Sequence, residues 1–162
     1  MTLAIFMSPA QATLAFHGGE TLNLDFGAFS IHGSYSKRAC SAQANLKSAR
    51  GKNVGFAIYW RPRKDIFLLV SHAGNKGSKG SRTVRFTFDD GKFVLFPMRG
   101  KGAQLQVPIG FGPRGLNFYD SLQKNRHVTI EFLALKDRVE VDLSRKGAVE
   151  AGLMKCRKWM HM

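Results

Sequence analysis

The stretch HVTIEFLALKDRVEVDLSRKGAVEAGLMKC, residues 127–156, decides the fold class of this chain. Apolar and polar side chains alternate over residues 128–132 and again over residues 139–143, on either side of the polar break Lys136-Asp137-Arg138. Because successive side chains of an extended chain point to opposite faces, each segment predicts a strand with one buried face.

Helical spacing replaces this alternation in the last part of the stretch. Apolar residues recur at helical intervals from Ala148 to Cys156, and Ser144 stands where a helix N-cap belongs. We therefore predict a C-terminal helix that ends on a thiol.

The rest of the chain carries the same signals in shorter pieces. Asp90-Gly91 is a two-residue hairpin signal, and Leu116, Tyr119 and Leu122 have the spacing of a short helix. Further strands are predicted at residues 29–32, 40–46, 54–60, 66–70, 83–89, 92–98 and 104–107. About nine short strands separated by turns predict an all-β fold, a mainly antiparallel β-sandwich or barrel with one or two short helices, including the C-terminal one. Residues 13–162 are predicted to form a single domain.

The composition is strongly basic. Lys and Arg number 25 against 11 Asp and Glu, which gives a formal net charge of +14 and a pI near 10.3. This balance favours an anionic partner, either an acidic glycan, an envelope lipid or protein, or nucleic acid, unless the charge serves only solubility. No apolar run approaches the roughly 18 residues that cross a bilayer.

Residues 1–12 have features of a processed leader. The apolar run at residues 3–7 is followed by SPAQA at residues 8–12, which ends in the small-x-small pattern of a secretory cleavage site. The basic region that opens most signal peptides is missing, so the segment predicts a signal-peptide remnant, with an ordinary apolar arm as the alternative. Export would place the mature chain, beginning at Thr13, in the periplasm or outside the cell.

Cys40 and Cys156 are the two cysteines of the chain. In an oxidising compartment they would form a disulfide that closes a long loop, whereas in the cytosol they would be two separate buried thiols. Together with the export signal, the pair predicts a disulfide. Neither cysteine belongs to a Cys-x-x-Cys motif or has zinc-ligand spacing, so no metal or other cofactor is expected.

The order of the strands sorts the loops between the two ends of the sheet. If each connection reverses the chain direction, the loops at residues 47–53, 71–82 and 99–102 share one end, which we call the basic loop end. Its cations, with no Asp or Glu among them, are Lys47, Arg50, Lys52, Lys76, Lys79, Arg82, Arg99 and Lys101. The opposite end has six cations offset by three Asp. We therefore predict that the basic loop end binds anions, against the alternative of a solvated set of loop cations.

Catalytic machinery is not evident in the sequence. Two Ser-x-x-Lys matches, at residues 34–37 and 121–124, lack companion motifs, and the five histidines lack ligand spacing. A non-enzymatic binding or envelope protein is therefore expected. The alternative is an intracellular basic β-domain that binds nucleic acid, because GKFVLF at residues 91–96 is faintly similar to the aromatic strand of RNA-recognition domains.

FGAFSIHG at residues 26–33, followed by CSA at residues 40–42, resembles the opening of the invasion-associated locus B family of small exported bacterial proteins. In that family Phe-Gly-Asp-Trp-x-Val-x-Cys precedes a second Cys; here Phe29 stands for the Trp, Gly33 for the first Cys and Cys40 for the second. The resemblance implies an exported β-sandwich of the periplasm or envelope, without known catalysis and linked to host-cell invasion. With Gly33 in place of the first Cys, Cys40 is left free to pair with Cys156.

Overall fold

The computed structural model describes residues 21–26, 28–35, 39–61, 66–75, 80–110 and 112–160. The strands are β1 (Thr21–Phe26), β2 (Phe29–Ser34), β3 (Ala39–Lys47), β4 (Asn53–Trp60), β5 (Ile66–His72), β6 (Gly80–Phe88), β7 (Phe93–Lys101), β8 (Gln104–Ile109), β9 (His127–Phe132) and β10 (Asp137–Asp142). The helices are α1 (Pro113–Lys124) and α2 (Lys146–Trp159), and a 3₁₀ turn, Leu133–Leu135, connects β9 to β10. The predicted signal-peptide remnant, residues 1–12, lies outside the described residues.

All ten described strands belong to one sheet, in the order β1-β2-β3-β4-β5-β8-β7-β6-β9-β10. Every neighbouring pair is antiparallel. The predicted mainly antiparallel β fold with a C-terminal helix is thus confirmed.

The sheet folds over its own core. Phe56 on β4 and Phe86 on β6 have ring centroids 6.5 Å apart, although β5, β8 and β7 lie between these strands in the sheet. At about 4.8 Å for each strand spacing, a flat sheet would separate β4 from β6 by about 19 Å. The inner side chains of the two halves therefore pack against each other, as in a sandwich.

The two helices lie at the end of the sheet where β8 and β10 finish, opposite the basic loop end. From α1, the fully buried Phe118 packs 5.3 Å from Phe86 and Phe96 and 6.0 Å from Phe88, measured between ring centroids. Helix α2 packs against β1, β2 and β3. The helices thereby cover the apolar interior at this end.

The predicted disulfide between Cys40 and Cys156 is present and joins β3 to α2, with both residues fully buried. Gly33 lies opposite Cys40 in the ladder between β2 and β3. A Cβ at Gly33 would lie 2.7 Å from the Sγ of Cys156. The strand predicted at residues 29–32 is longer in the structure, because β2 continues through Gly33 to Ser34, and the glycine makes room for the disulfide.

Two further details differ from the sequence prediction. β1 was not predicted, although its Leu22 and Leu24 are both buried and alternate with exposed residues. The predicted N-cap Ser144 is also wrong, because Arg145 occupies the N-cap position of α2 and makes no side-chain capping bond. The backbone N–H of Ser144 donates to Oδ1 of Asp142 at 2.7 Å, so this turn is stabilised from the strand side.

Candidate anion-binding site at the basic loop end

Strand directions bring the three loops of the basic loop end together. β3, β5 and β7 all finish at this end, and the strands that follow them begin there. The backbone N–H of Ala73 donates to the carbonyl of Asn53, and that of His72 donates to the carbonyl of Ala103, both at 3.0 Å. The loops after β3, β5 and β7 are therefore in direct contact.

The structure describes some of the eight predicted anion-binding residues. Those with exposed side chains are Lys47, Arg50, Lys52 and Arg99. Arg82 is half-buried and lines a small cavity beside the 3₁₀ turn. Lys76 and Lys79 lie outside the described residues, and only the backbone of Lys101 is described.

A fourth connection, the turn between β9 and β10, lies at the same end. The Nη1 of Arg50 donates to the carbonyl of Leu135 at 3.4 Å, and the N–H of Ala49 donates to the carbonyl of Arg138 at 2.8 Å. This turn adds the exposed Lys136 and Arg138. The reversal of chain direction that sorted the other loops also assigns this turn to the basic loop end, so the sequence carried a signal that the prediction did not use.

An open groove of about 420 Å³ runs between the loop after β3 and the turn between β9 and β10. Three cations, Arg50, Lys136 and Arg138, line it together with two carboxylates, those of Glu131 and Asp137. The charge of the groove therefore depends on what the carboxylates contact.

Both carboxylates are engaged within the protein. Glu131 accepts a hydrogen bond from the Oγ1 of Thr87 at 3.1 Å and lies 3.8 Å from the Nη1 of Arg85. Asp137 is buried. Within the described ranges, the three groove cations form no ion pair, so the solvent side of the groove is positive.

A buried polar cluster stands behind the groove. The Oγ of Ser48 donates to Oδ2 of Asp137 at 2.6 Å, and the Nε2 of His72 lies 2.9 Å from the same oxygen. The N–H of Gly74 donates to Nδ1 of His72 at 2.9 Å, so Nε2 carries the proton that bonds Asp137. The Oγ of Ser48 also accepts the N–H of Lys52 at 3.1 Å. The cluster thus joins the loop after β3, the end of β5 and the start of β10.

Asp137 is the centre of this cluster. Burial alone would raise the pKa of its carboxyl group, but hydrogen bonds from Ser48, His72 and the N–H of Arg138 lower the pKa below its ordinary value. Sequence reasoning missed the cluster because Asp137 is 65 positions from His72 and 89 from Ser48. Since the hydroxyl of Ser48 donates to the carboxylate and not to the imidazole, the arrangement does not activate a serine nucleophile.

Positive charge by itself does not distinguish the basic loop end. The cations of α2 and the turn before it are Arg145, Lys146, Lys155, Arg157 and Lys158, and the comparison of loops made from the sequence did not include them. Glu150 is the one acidic residue of α2. The basic loop end differs because three of its cations, Arg50, Lys136 and Arg138, line a groove whose carboxylates are already bonded.

The strand proposed for nucleic-acid binding shows one exposed ring. Phe93 is 56% exposed, with the guanidinium of Arg85 lying 5.1 Å from its ring centre, whereas Phe96 is buried. RNA-recognition sheets stack bases on two or three aromatic rings. The described face of β7 therefore offers a weaker stacking surface than those domains do.

The described residues contain no group of three or more His, Cys, Asp or Glu that could hold a metal ion. Neither of their helices has the length and apolar character needed to span a membrane.

No family model, curated protein or solved structure matches this chain. The resemblance to the invasion-associated locus B family therefore stays a prediction.

Proposed function

We propose that this protein is a non-enzymatic, exported binding protein whose basic loop end attracts an acidic glycan of an envelope or host surface. The observation that carries the proposal is the positive groove. Arg50, Lys136 and Arg138 face it, while Glu131 and Asp137 are bonded to other groups of the protein.

The buried cluster supports this function because it holds the groove in shape. The hydrogen bond from Ser48 to Asp137 joins the loop after β3 to the start of β10, and these two segments form the groove walls. The groove cations are thus attached to fixed backbone, which reduces the entropy lost when a ligand binds. Repeated sulfates or carboxylates of a glycan would pair with the guanidinium groups in bidentate fashion.

Export belongs to the same proposal. A buried disulfide between distant segments is typical of proteins that fold in an oxidising compartment. Mass spectrometry of the chain isolated from bacterial cells tests this point: we expect a mature N-terminus near Thr13 and an intact disulfide. A retained Met1 with two free thiols would contradict export and favour the intracellular alternative.

Charge reversal tests the groove. We expect the triple variant Arg50→Glu, Lys136→Glu, Arg138→Glu to bind heparin, a sulfated glycan probe, at least roughly tenfold more weakly near 0.15 M salt, measured by calorimetry. The matched control is Arg126→Glu, Lys155→Glu, Lys158→Glu, which changes the net charge equally at exposed positions away from the groove. Equal losses for the two triple variants would show that only total charge matters and would contradict the proposal.

Single-stranded polyuridylate is the second probe. Because no set of exposed aromatic rings lines the groove, we expect polyuridylate to bind more weakly than heparin. Tighter binding of polyuridylate, lost on Phe93→Ala, would favour the nucleic-acid alternative.

A further inference from the structure

Aromatic side chains and cations surround the last turn of α2, at the end of the molecule opposite the basic loop end. Tyr35 follows β2, and its ring centroid lies 5.9 Å from that of Trp159. Trp60 is the last residue of β4, and the guanidinium of Arg157 lies 3.8 Å from its ring centre. Both tryptophans of the chain are therefore here. We define the α2 surface as Tyr35, Trp60, Met154, Lys155, Arg157, Lys158 and Trp159.

Several apolar groups of the α2 surface face solvent. Tyr35 is 53% exposed and Met154 is 48% exposed, while Trp60 and Trp159 are half-buried. Trp and Tyr combine an apolar ring with a polar group, and they are enriched where a membrane meets water. An exposed thioether beside such rings favours a partner that has an apolar layer.

The arrangement of the rings is less suited to nucleic acid. Stacking of bases needs free ring faces. The guanidinium of Arg157 covers one face of Trp60, and Tyr35 and Trp159 meet edge to face with an angle of 72° between their planes. At both places a ring face is therefore already in contact with another side chain.

The cations of the α2 surface are not neutralised by described carboxylates. Lys155 and Lys158 are exposed, and neither belongs to an ion pair of the described residues. Arg157 donates within the described residues only to the Sδ of Met154, a weak acceptor. Glu150, the one acidic residue of α2, accepts a hydrogen bond from α1 instead. The α2 surface is therefore positive as well as partly apolar.

We propose that the α2 surface binds an anionic phospholipid bilayer. The exposed rings and Met154 enter the headgroup region, and the flexible side chains of Lys155 and Lys158 place their ammonium groups beside lipid phosphates. The helix dipole also favours cations at the end of α2, but it does not explain why exposed aromatic and thioether groups accompany them. A protein bound in this way would hold the basic loop end away from the membrane, yet lipid binding does not depend on the glycan proposal.

Flotation of the full chain with vesicles tests the charges. We expect binding to vesicles of equal parts phosphatidylglycerol and phosphatidylcholine, and none to phosphatidylcholine alone. Lys155→Glu, Lys158→Glu should weaken binding at least roughly tenfold. The matched control, Lys52→Glu, Lys136→Glu, reverses two exposed lysines at the basic loop end and should weaken vesicle binding less. Equal losses for the two double variants would overturn the proposal, because total charge alone would then explain binding.

The apolar groups have their own test. Met154→Ser should weaken vesicle binding roughly threefold or more, whereas Leu133→Ser, which removes a similarly exposed apolar side chain at the basic loop end, should not. Because Trp60 and Trp159 are the only tryptophans, their fluorescence should shift to shorter wavelength with anionic vesicles and not with heparin. The proposal is overturned if Met154→Ser and Leu133→Ser bind alike, or if vesicles bind without this shift. All the substituted side chains are exposed, so the variants are expected to fold.

Discussion

At the scale of single residues, Gly33 shows how strongly one position can depend on distant parts of the chain. It lies within β2, and glycine is normally unfavourable inside a strand. A Cβ there would lie 2.7 Å from Sγ of Cys156 and 3.0 Å from the ring of Trp159, so both neighbours come from α2. The glycine is needed because the helix approaches the strand closely.

We predict that Gly33→Ala lowers the free energy of unfolding by roughly 1–3 kcal/mol, because the methyl group overpacks the space beside the disulfide. Urea denaturation measures the change. Gly147→Ala in α2 is the matched control: a Cβ there meets nothing within 4 Å, so helix propensity should stabilise the protein by about 0.5–1 kcal/mol. If Gly33→Ala left the free energy of unfolding unchanged, α2 would have to lie farther from β2 than the structure shows.

Asp137 makes stability depend on pH. A carboxyl group whose pKa is lowered by folding stabilises the protein above its unfolded pKa, and the contribution is lost as the pH falls through the folded pKa. We predict that Asp137→Asn lowers the free energy of unfolding at pH 7 by roughly 1–3 kcal/mol, because the neutral amide keeps only one of the two oxygens that accept from Ser48, His72 and the N–H of Arg138. The difference from the unaltered protein should shrink in urea titrations below about pH 4.

The control for this prediction is Asp120→Asn. Asp120 is exposed and pairs with Lys124 one helical turn away, an arrangement that contributes little in water. Its substitution should change stability by less than about 0.5 kcal/mol at either pH. If Asp137→Asn behaves in the same way, the buried cluster does not hold the loops together.

At the scale of elements, α2 is attached to the sheet by packing and by one covalent bond. Its buried residues include Val149 and Gly152, and Cys156 is bonded to β3 over a sequence separation of 116. A cross-link over so long a loop removes much of the freedom of the unfolded chain. The disulfide therefore contributes to the stability of the whole domain, besides fixing the helix.

We predict that Cys40→Ala together with Cys156→Ala lowers the free energy of unfolding by roughly 4–5 kcal/mol, the value that the chain-entropy model gives for a loop of this length. Guanidinium denaturation of the oxidised protein and of the double variant measures the difference. A loss below about 1 kcal/mol would mean that packing alone holds α2 on the sheet.

At the scale of the whole molecule, the net charge of +14 affects both stability and partners. Like charges concentrated in one small domain repel one another, and salt weakens this repulsion over a Debye length of about 10 Å at 0.1 M. Heparin binding and the stability of the free protein should consequently respond to salt in opposite directions.

We predict that raising NaCl from about 20 to about 200 mM increases the melting temperature of the free protein, because screening reduces self-repulsion. The same change should weaken heparin binding, since the counterions compete with the glycan for the groove cations. Calorimetric scans and titrations measure the two effects. A melting temperature that falls with salt would show that attractive pairs, such as Arg85 with Glu131, outweigh the repulsion.

The sequence by itself determined the local pattern of the protein. The alternation at residues 128–132 and 139–143, the Asp90-Gly91 turn and the helical spacing up to Cys156 predicted strands, a hairpin and a helix that the structure contains. These features depend on contacts between near neighbours, whose chemistry is visible in order along the chain. The pairing of Cys40 with Cys156 was also predictable, because the chain has no other cysteine.

Only the tertiary structure decided which distant residues meet. The bonds from Ser48 and His72 to Asp137, the positive groove beside Lys136 and Arg138, and the contact of Trp60 with Arg157 all arise from the folding of one sheet over itself and the packing of two helices at its end. Alternation shows that a side chain faces inward without showing which side chain it will face. Register and strand order settle that choice, because they depend on the packing of the complete core.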